Sequence, residues 1–186
     1  MASRTIGLLG GILTYAIEAG IIETNPAHGI RKPKGNVRQR RLSEDEYRIL
    51  GKMLAEASLQ GKYATTIQVI RQIALTGCRR SEIINLKWSD VDFEHSCLRL
   101  SESKEGYSVR PVGLPVIEHR EARLSENASG YVFPGCSDDN AFGALPNHWG
   151  QLVKGSALAD ITPHVLRHSF ASIANDLGFT EVTIAA

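Results

Sequence analysis

Residues 75–84 read "LTGCRRSEII". Thr76-Gly77 closes one apolar-periodic segment, because glycine adopts the left-handed backbone of a helix end at little cost. The chain then turns, and Arg79 stands on the threshold of the next helix. Glu82, three residues on, is placed to pair with an arginine or to complete a cap. A planar guanidinium can hold two phosphate oxygens at once, which an ammonium cannot. Taken singly, an R-x-x-E at a helix start is more simply a local salt bridge.

The segments on either side predict a small helical domain with one hairpin. Upstream, Ser43 in "LSEDEYRIL" offers an N-cap with Glu46 as its reciprocal partner and acidic residues in the first turn, so a helix is expected over 44–57. A second helix, about 62–75, sets Ile67, Ile70, Ile73 and Ala74 on one face. A third begins close to Arg80 and carries Ile83, Ile84 and Leu86 up to Trp88. In "CLRLSESKEGYSVRPVGL" the period changes. Leu98 and Leu100 alternate with polar residues, Glu105-Gly106 supplies a turn, and Val109 and Val112 resume extended chain. "YVFP" at 131–134 offers a third strand and 135–143 read as loop. Helices return from about 147, the last opened by Thr162-Pro163 as N-cap and first-turn proline. The expected fold class is mainly α with a small antiparallel sheet of about three strands.

That last helix carries a second cluster. In "ITPHVLRHSF", residues 161–170, His164 lies three residues from Arg167 and four from His168, so all three share one side near the helix N-terminus. Partial positive charge and unpaired N–H groups at that end, with Arg167 added, suit an anion. The i, i+4 histidines also imitate a zinc pair, but Arg167 would set a fixed positive charge beside the metal, and no glutamate stands between them as in H-E-x-x-H. A bonded core histidine beside a surface arginine is the plainer account of the same residues. Lys104, just before the hairpin turn, could reach over a ligand, although lysines near turns are commonplace.

At the other end, Ile6, Leu9, Ile12, Leu13, Ala16 and Ile17 recur at helical spacing over 5–19, Gly20 stands where a cap would go, and Asn25-Pro26 breaks the chain. Nothing nearby would cover that apolar face. Residues 31–41 hold Arg31, Lys32, Lys34, Arg38, Arg40 and Arg41 with no acidic residue. This is a basic linker, either a solvated hinge or a strap that tracks phosphates.

The bulk properties set the frame. With 42% hydrophobic and 22% charged residues among 186, the chain can bury a core and is not disordered. A net charge of +1 does not by itself advertise a polyanionic partner, so charge placement must carry any nucleic-acid case. Cys78, Cys97 and Cys136 form no C-x-x-C pattern and leave an odd thiol, which favours a reducing compartment. No apolar run approaches the roughly 20 residues that span a bilayer, and no signal-peptide layout precedes residue 20. A cytoplasmic protein is expected.

In order and context, T-G-x-R-x-S-E and x-x-x-L-x-W-x-D (Thr76 to Asp90), a hairpin lysine, and T-P-H-x-L-R-H-S-F-A-S (Thr162 to Ser172) resemble the tyrosine recombinases, the phage integrase family. The resemblance implies a catalytic domain over 42–186, the end of a helical core-binding domain over 1–30 and an interdomain linker over 31–41. It implies site-specific recombination of double-stranded DNA without metal or other cofactor, through a 3′-phosphotyrosine. Arg79 and Arg167 would clamp the non-bridging oxygens, Lys104 would protonate the leaving 5′-oxygen, His164 would assist proton transfer, and Glu82 and His168 would support the pocket. Arg31, Lys32, Lys34, Arg38, Arg40 and Arg41 would meet DNA. Self-association on DNA is expected of the full-length protein. The chain departs from the pattern at both ends: most of the core-binding domain is absent, the family's third His or Trp position is not reached, and Tyr15, Tyr47, Tyr63, Tyr107 and Tyr131 all precede His164, so none holds the family's nucleophile position. The expectation is therefore a fragment that binds DNA phosphate but does not cleave. A non-catalytic DNA-binding module of the same fold, or a zinc hydrolase on His164 and His168, would be the alternatives.

Overall fold

The computed structural model describes residues 2–31, 40–103, 106–113, 130–137 and 140–180. The chain forms two compact units, Met1–Gln39 and Arg40–Ala186. In the first, helix α1 (Ala2–Glu18) has no buried residue; Leu9 and Ile12 of its apolar stripe are exposed, as are Leu8 and Tyr15. Gly20 ends it in the left-handed region at φ +69°, and the Ile21 N–H bonds back to the Ala16 carbonyl. The Asn25 amide then folds the chain onto the helix by donating to the Gly10 carbonyl at 3.0 Å and to Thr14 Oγ1 at 3.1 Å.

The second unit is built around one buried helix. Helices α2 (Glu44–Leu59), α3 (Ala64–Thr76) and α4 (Arg80–Ile84) are followed by a 3-10 turn at Trp88–Asp90 and strands β1 (Val91–Asp92), β2 (Cys97–Ser103) and β3 (Gly106–Pro111). Helices α5 (Leu145–Val153) and α6 (Pro163–Asp176) close the order. The capping box at α2 is as expected: the Glu46 N–H donates to Ser43 Oγ and the Ser43 N–H to Glu46 Oε2. Those bonds, and first of all the one from Arg40, bring the Glu46 carboxyl down to about 2.

Helix α3 buries more than the predicted face of Ile67, Ile70 and Ile73. Thr66, Val69, Gln72 and Thr76 are buried as well, because α2, α4, α5 and α6 all pack against it. A polar residue on such a helix needs a partner, and Thr66 Oγ1 has one in His148 Nδ1 of α5 at 2.7 Å.

The sheet has the order β1-β2-β3, all antiparallel. Two expectations need correction. The third strand is Val91–Asp92, paired with Cys97 and Leu98, whereas residues 131–134 make only isolated bridges, Lys87 with Tyr131 and Pro134 with Ala141. Helix α4 also stops at Ile84 rather than running to Trp88, since Asn85 caps it and Leu86 turns inward to the core. In β3 the pairs Leu98 with Arg110 and Leu100 with Ser108 put Arg110 on the core side beside Leu98. Val109, read from the sequence as the apolar strand residue, faces outward and is exposed.

Gly77 fixes how closely α3 and α6 approach. Its φ is +63°, and a Cβ there would lie 2.3 Å from Cδ1 and 2.9 Å from Cγ of Phe170 on α6. An atom so near the root of a packed ring cannot be avoided by moving the ring's far edge. Gly77→Ala should therefore lose roughly 2–4 kcal/mol, the left-handed backbone and the overpacking both contributing. Urea unfolding followed by circular dichroism measures this, and a loss below about 1 kcal/mol would mean that α6 yields easily.

Candidate active site

Helix α3 ends at Gly77, and three residues shape the turn that follows. The Gly77 N–H bonds to the Ile73 carbonyl, and Thr76 Oγ1 donates to the Gln72 carbonyl at 2.6 Å while accepting from the Cys78 N–H at 3.2 Å. Extended backbone at Arg79 (φ −65°, ψ 147°) then starts α4. The Arg79 N–H donates to Glu82 Oε2 at 2.6 Å, and Arg79 Nη1 donates to Glu82 Oε1 at 2.8 Å. One carboxylate thus caps the helix and holds the guanidinium of the same residue. The Glu82 side chain is 3% exposed and that of Arg79 22%, so this is a buried acid gripping a base that still reaches the surface.

Arg167 joins that turn from α6. Its Nη1 donates to the Gly77 carbonyl at 2.5 Å across 90 residues of chain, an acceptor left open by the end of α3. The two sequence motifs therefore meet through a backbone carbonyl. Burial lowers the Arg167 pKa, and the nearby charges of Arg110 and Arg79 lower it further, against the pull of Glu82. At Glu82, burial pushes the carboxyl up, but the hydrogen bonds from Arg79 and the charges of Arg110 and Arg79 outweigh it and leave the pKa below the usual carboxylate value.

His164 and His168 lie one turn apart on α6. Their Nε2 atoms are 3.0 Å from each other and the rings meet edge to face at 4.4 Å. Such a pair shares one proton between the two nitrogens, so a second proton breaks the bond. Burial lowers the His164 pKa first, followed by the charges of His168, Arg167 and Arg79. The structure thus brings Arg79, Glu82, Arg167, His164 and His168 into one cluster.

Lys104 lies outside the described residues, as do Lys32, Lys34 and Arg38 of the basic linker. Of its other members, Arg31 is exposed. Arg40 pairs with Glu46, donating to Oε2 at 3.0 Å, and approaches Asp160 at 3.6 Å. Arg41 reaches Asp176 at the end of α6 at 2.9 Å. Among the described residues, no three or more His, Cys, Asp or Glu side chains come together as a metal site would need, and no helix is long and apolar enough to cross a membrane.

The sequence reading missed Arg110. Its side chain is 6% exposed, and its Nε lies 3.9 Å from Glu82 Oε2. The available signal was parity: Arg110 shares a strand face with Val112, which is buried, and not with Val109.

A mainly helical unit around a central helix, with a three-stranded antiparallel sheet, has the catalytic fold of the tyrosine recombinases. The chain belongs to the phage integrase family, whose model matches residues 40–184. It is 32% identical over 185 residues to the shufflon-specific DNA recombinase of Escherichia coli, covering 95% of this chain and 44% of that protein. To the tyrosine recombinase XerC of Xanthomonas axonopodis pv. citri it is 30% identical over 179 residues, covering 91% of this chain and 56% of that one. The chain therefore spans about half the length of these relatives. Among solved structures, a lambda integrase tetramer bound to a Holliday junction superposes with a TM-score of 0.69 at 20% identity, covering 98% of this chain and 56% of that one. The integrase of transposon Tn1549 in complex with circular intermediate DNA gives 0.65 at 17% identity, with 98% and 68% covered.

Because the pKa of His164 is lowered, it should titrate below the ordinary imidazole value and be neutral at pH 7. Removing His168, whose charge helps to lower it, in His168→Ala, should move it upward. Imidazole NMR shifts followed against pH measure both. A His164 pKa unchanged by His168→Ala would mean that the ring pair does not govern its protonation.

Proposed function

We propose that this chain supplies the phosphate-binding centre of a site-specific DNA recombinase that acts on double-stranded DNA by strand cleavage and rejoining. The observation that carries this is the Arg167 to Gly77 carbonyl bond. It ties the helix bearing Arg167, His164 and His168 to the turn bearing Arg79, so that two guanidiniums and an imidazole pair serve one place. Both curated relatives are named as recombinases, which supports the same reading.

In the reaction so assigned, a tyrosine oxygen attacks the scissile phosphorus, the P–O5′ bond breaks, and a 3′-phosphotyrosine keeps the phosphoester until another strand's 5′-hydroxyl displaces it. Negative charge gathers on the non-bridging oxygens. Arg79 and Arg167 stabilise it there as fixed cations, in the place that divalent ions take in many phosphoryl-transfer enzymes. Lys104 gives the leaving oxygen its proton. His164, kept neutral by burial and then by the charges of His168, Arg167 and Arg79, passes a proton at the phosphate, and His168 sets which of its nitrogens carries one. Glu82 holds Arg79 in place. Arg31, Lys32, Lys34 and Arg38 follow the DNA backbone, and Arg40 and Arg41 extend that track while anchored to Glu46 and Asp176.

Three of the five tyrosines have partners of their own. Tyr47 is half-buried on α2 against Ser169, Tyr63 donates to Gln151, and Tyr131 lies under Lys87. Tyr107 is exposed on β3, and Tyr15 belongs to the first unit. Our reading is that this chain binds the phosphate without joining it covalently.

Two measurements test this. Fluorescence anisotropy with nonspecific duplex should show affinity falling steeply with salt, and Arg79→Ala with Arg167→Ala should weaken it by roughly tenfold or more at fixed salt. Binding indifferent to the two arginines would remove the cluster from DNA contact. Incubation with nicked duplex followed by denaturing electrophoresis should give no protein-DNA adduct. An adduct would show that one of the five tyrosines, or another residue, acts as nucleophile.

A further inference from the structure

The polar side chains along α4 are of two kinds. Glu82 is buried and turned to Arg79, whereas Ser81 and Asn85, one turn apart on the same side of the helix, are exposed. Arg80, just before them, is exposed too, and among the described residues no hydrogen bond or ion pair reaches the side chain of Arg80, Ser81 or Asn85. Other surface arginines of this unit, Arg40, Arg41, Arg48 and Arg99, each meet a carboxylate. Lys87, on the turn after α4, is exposed as well. Its ammonium lies over the Tyr131 ring at 5.8 Å, a contact that leaves its N–H groups to a further acceptor.

These residues border a groove of about 290 Å³. Ser81, Glu82 and Asn85 form its helix side, and Lys87, Ser89 and Asp90 face them over an apolar floor. Both acids in its wall already have donors: Glu82 accepts from Arg79 through both oxygens, and Asp90 Oδ2 accepts from the Lys87 N–H at 3.0 Å. Hydroxyls, an amide and an ammonium remain on offer, the groups that hold phosphate and sugar oxygens in protein-DNA contacts. Glu82 belongs to the groove and to the cluster at once, so the groove begins where the Arg79 clamp ends. Nucleotides of a duplex strand follow one another at about 3.4 Å of rise, and a helical turn covers about 5.4 Å. A strand seated at Arg79 therefore carries its neighbouring phosphates past α4 within a turn or so. We infer that this groove seats the sugar-phosphate backbone next to the phosphate held by Arg79 and Arg167, with Arg80 and Lys87 as its cations and Ser81 and Asn85 as neutral donors. The inference rests on the phosphate-binding assignment of the cluster and adds the track that the strand follows away from it. Contacts of this kind fix the position of the duplex without reading its sequence.

The test measures the affinity of the whole chain for two duplexes of unrelated sequence over a salt series. Arg80→Ala and Lys87→Ala should each weaken binding by about three- to tenfold at fixed salt on both duplexes. Each should also lower the slope of log affinity against log salt by about one. Asn85→Ala, which removes a neutral donor, should weaken binding by about threefold and leave the slope unchanged. Lys62→Ala is the reference. Lys62 is exposed ahead of α3, about 20 Å along that helix from Gly77 and well beyond the screening length of about 8 Å at physiological salt, so its loss should change neither affinity nor slope. All four side chains are exposed, and the variants should keep the wild-type thermal melt. If Arg80→Ala and Lys87→Ala behave like Lys62→Ala while Arg79→Ala with Arg167→Ala still weakens binding, the groove is overturned and the phosphate clamp stands. Binding indifferent to all four cations would overturn the clamp and the track together. Losses confined to one of the two duplexes would assign the groove to base edges and overturn a backbone track.

Discussion

The buried carboxylate of Glu82 is the constraint on which the candidate site depends. An acid that is almost fully enclosed needs donors on both oxygens, and here they come from the backbone and the side chain of the same residue, Arg79. The geometry of the α4 start and the direction of the Arg79 guanidinium are therefore one feature. Arg110 approaches the same carboxylate from the sheet, so β3 is held electrostatically to the turn between α3 and α4. Removing the acid would leave three guanidiniums facing one another. Removing a base would leave the acid with less than it needs to stay ionised in a buried place.

The second constraint is the closeness of α3 and α6. Gly77 lets the Phe170 ring lie against the backbone of the turn, and at that distance Arg167 reaches the Gly77 carbonyl. A helix end always leaves carbonyls without partners, and using one of them to seat an arginine makes the seat independent of any other side chain. Ser169, next but one to Arg167, fastens the same helix by accepting from the Leu42 N–H at 2.8 Å and donating to the Val165 carbonyl. The face that bears His164 and Arg167 is thus pinned at both sides by bonds to main chain. This suits a site whose task is to meet developing charge with groups that need not rearrange.

Much of this was legible in the residues alone. The capping box at Ser43, the glycine stop at Gly77 and the proline start at Pro163 are local signals, set by conformations and hydrogen bonds within a few residues, and all three lie where they were read. The two motifs around Arg79 and Arg167 were equally visible, since each occupies one turn of helix. Misplacing the third strand has a physical cause: a two-residue strand such as Val91–Asp92 has no period to detect, while the apolar run at 131–134 buries Val132 and Phe133 without forming a strand. The end of α4 was misjudged for a related reason, because Leu86 is apolar at helical spacing yet reaches the core from a turn.

By itself, then, the sequence determined where helices begin and end, which residue types cluster near each other along the chain, and to which family those clusters belong, because each of these is written in contacts between near neighbours. Only the tertiary structure decided that Arg167 is seated on the Gly77 carbonyl and that Arg110 rather than Val109 faces inward. It alone brought three guanidiniums around one carboxylate. Those outcomes depend on pairing register and on helix approach across as many as 90 residues, and a one-residue change of register would have turned Arg110 to the opposite face of the sheet.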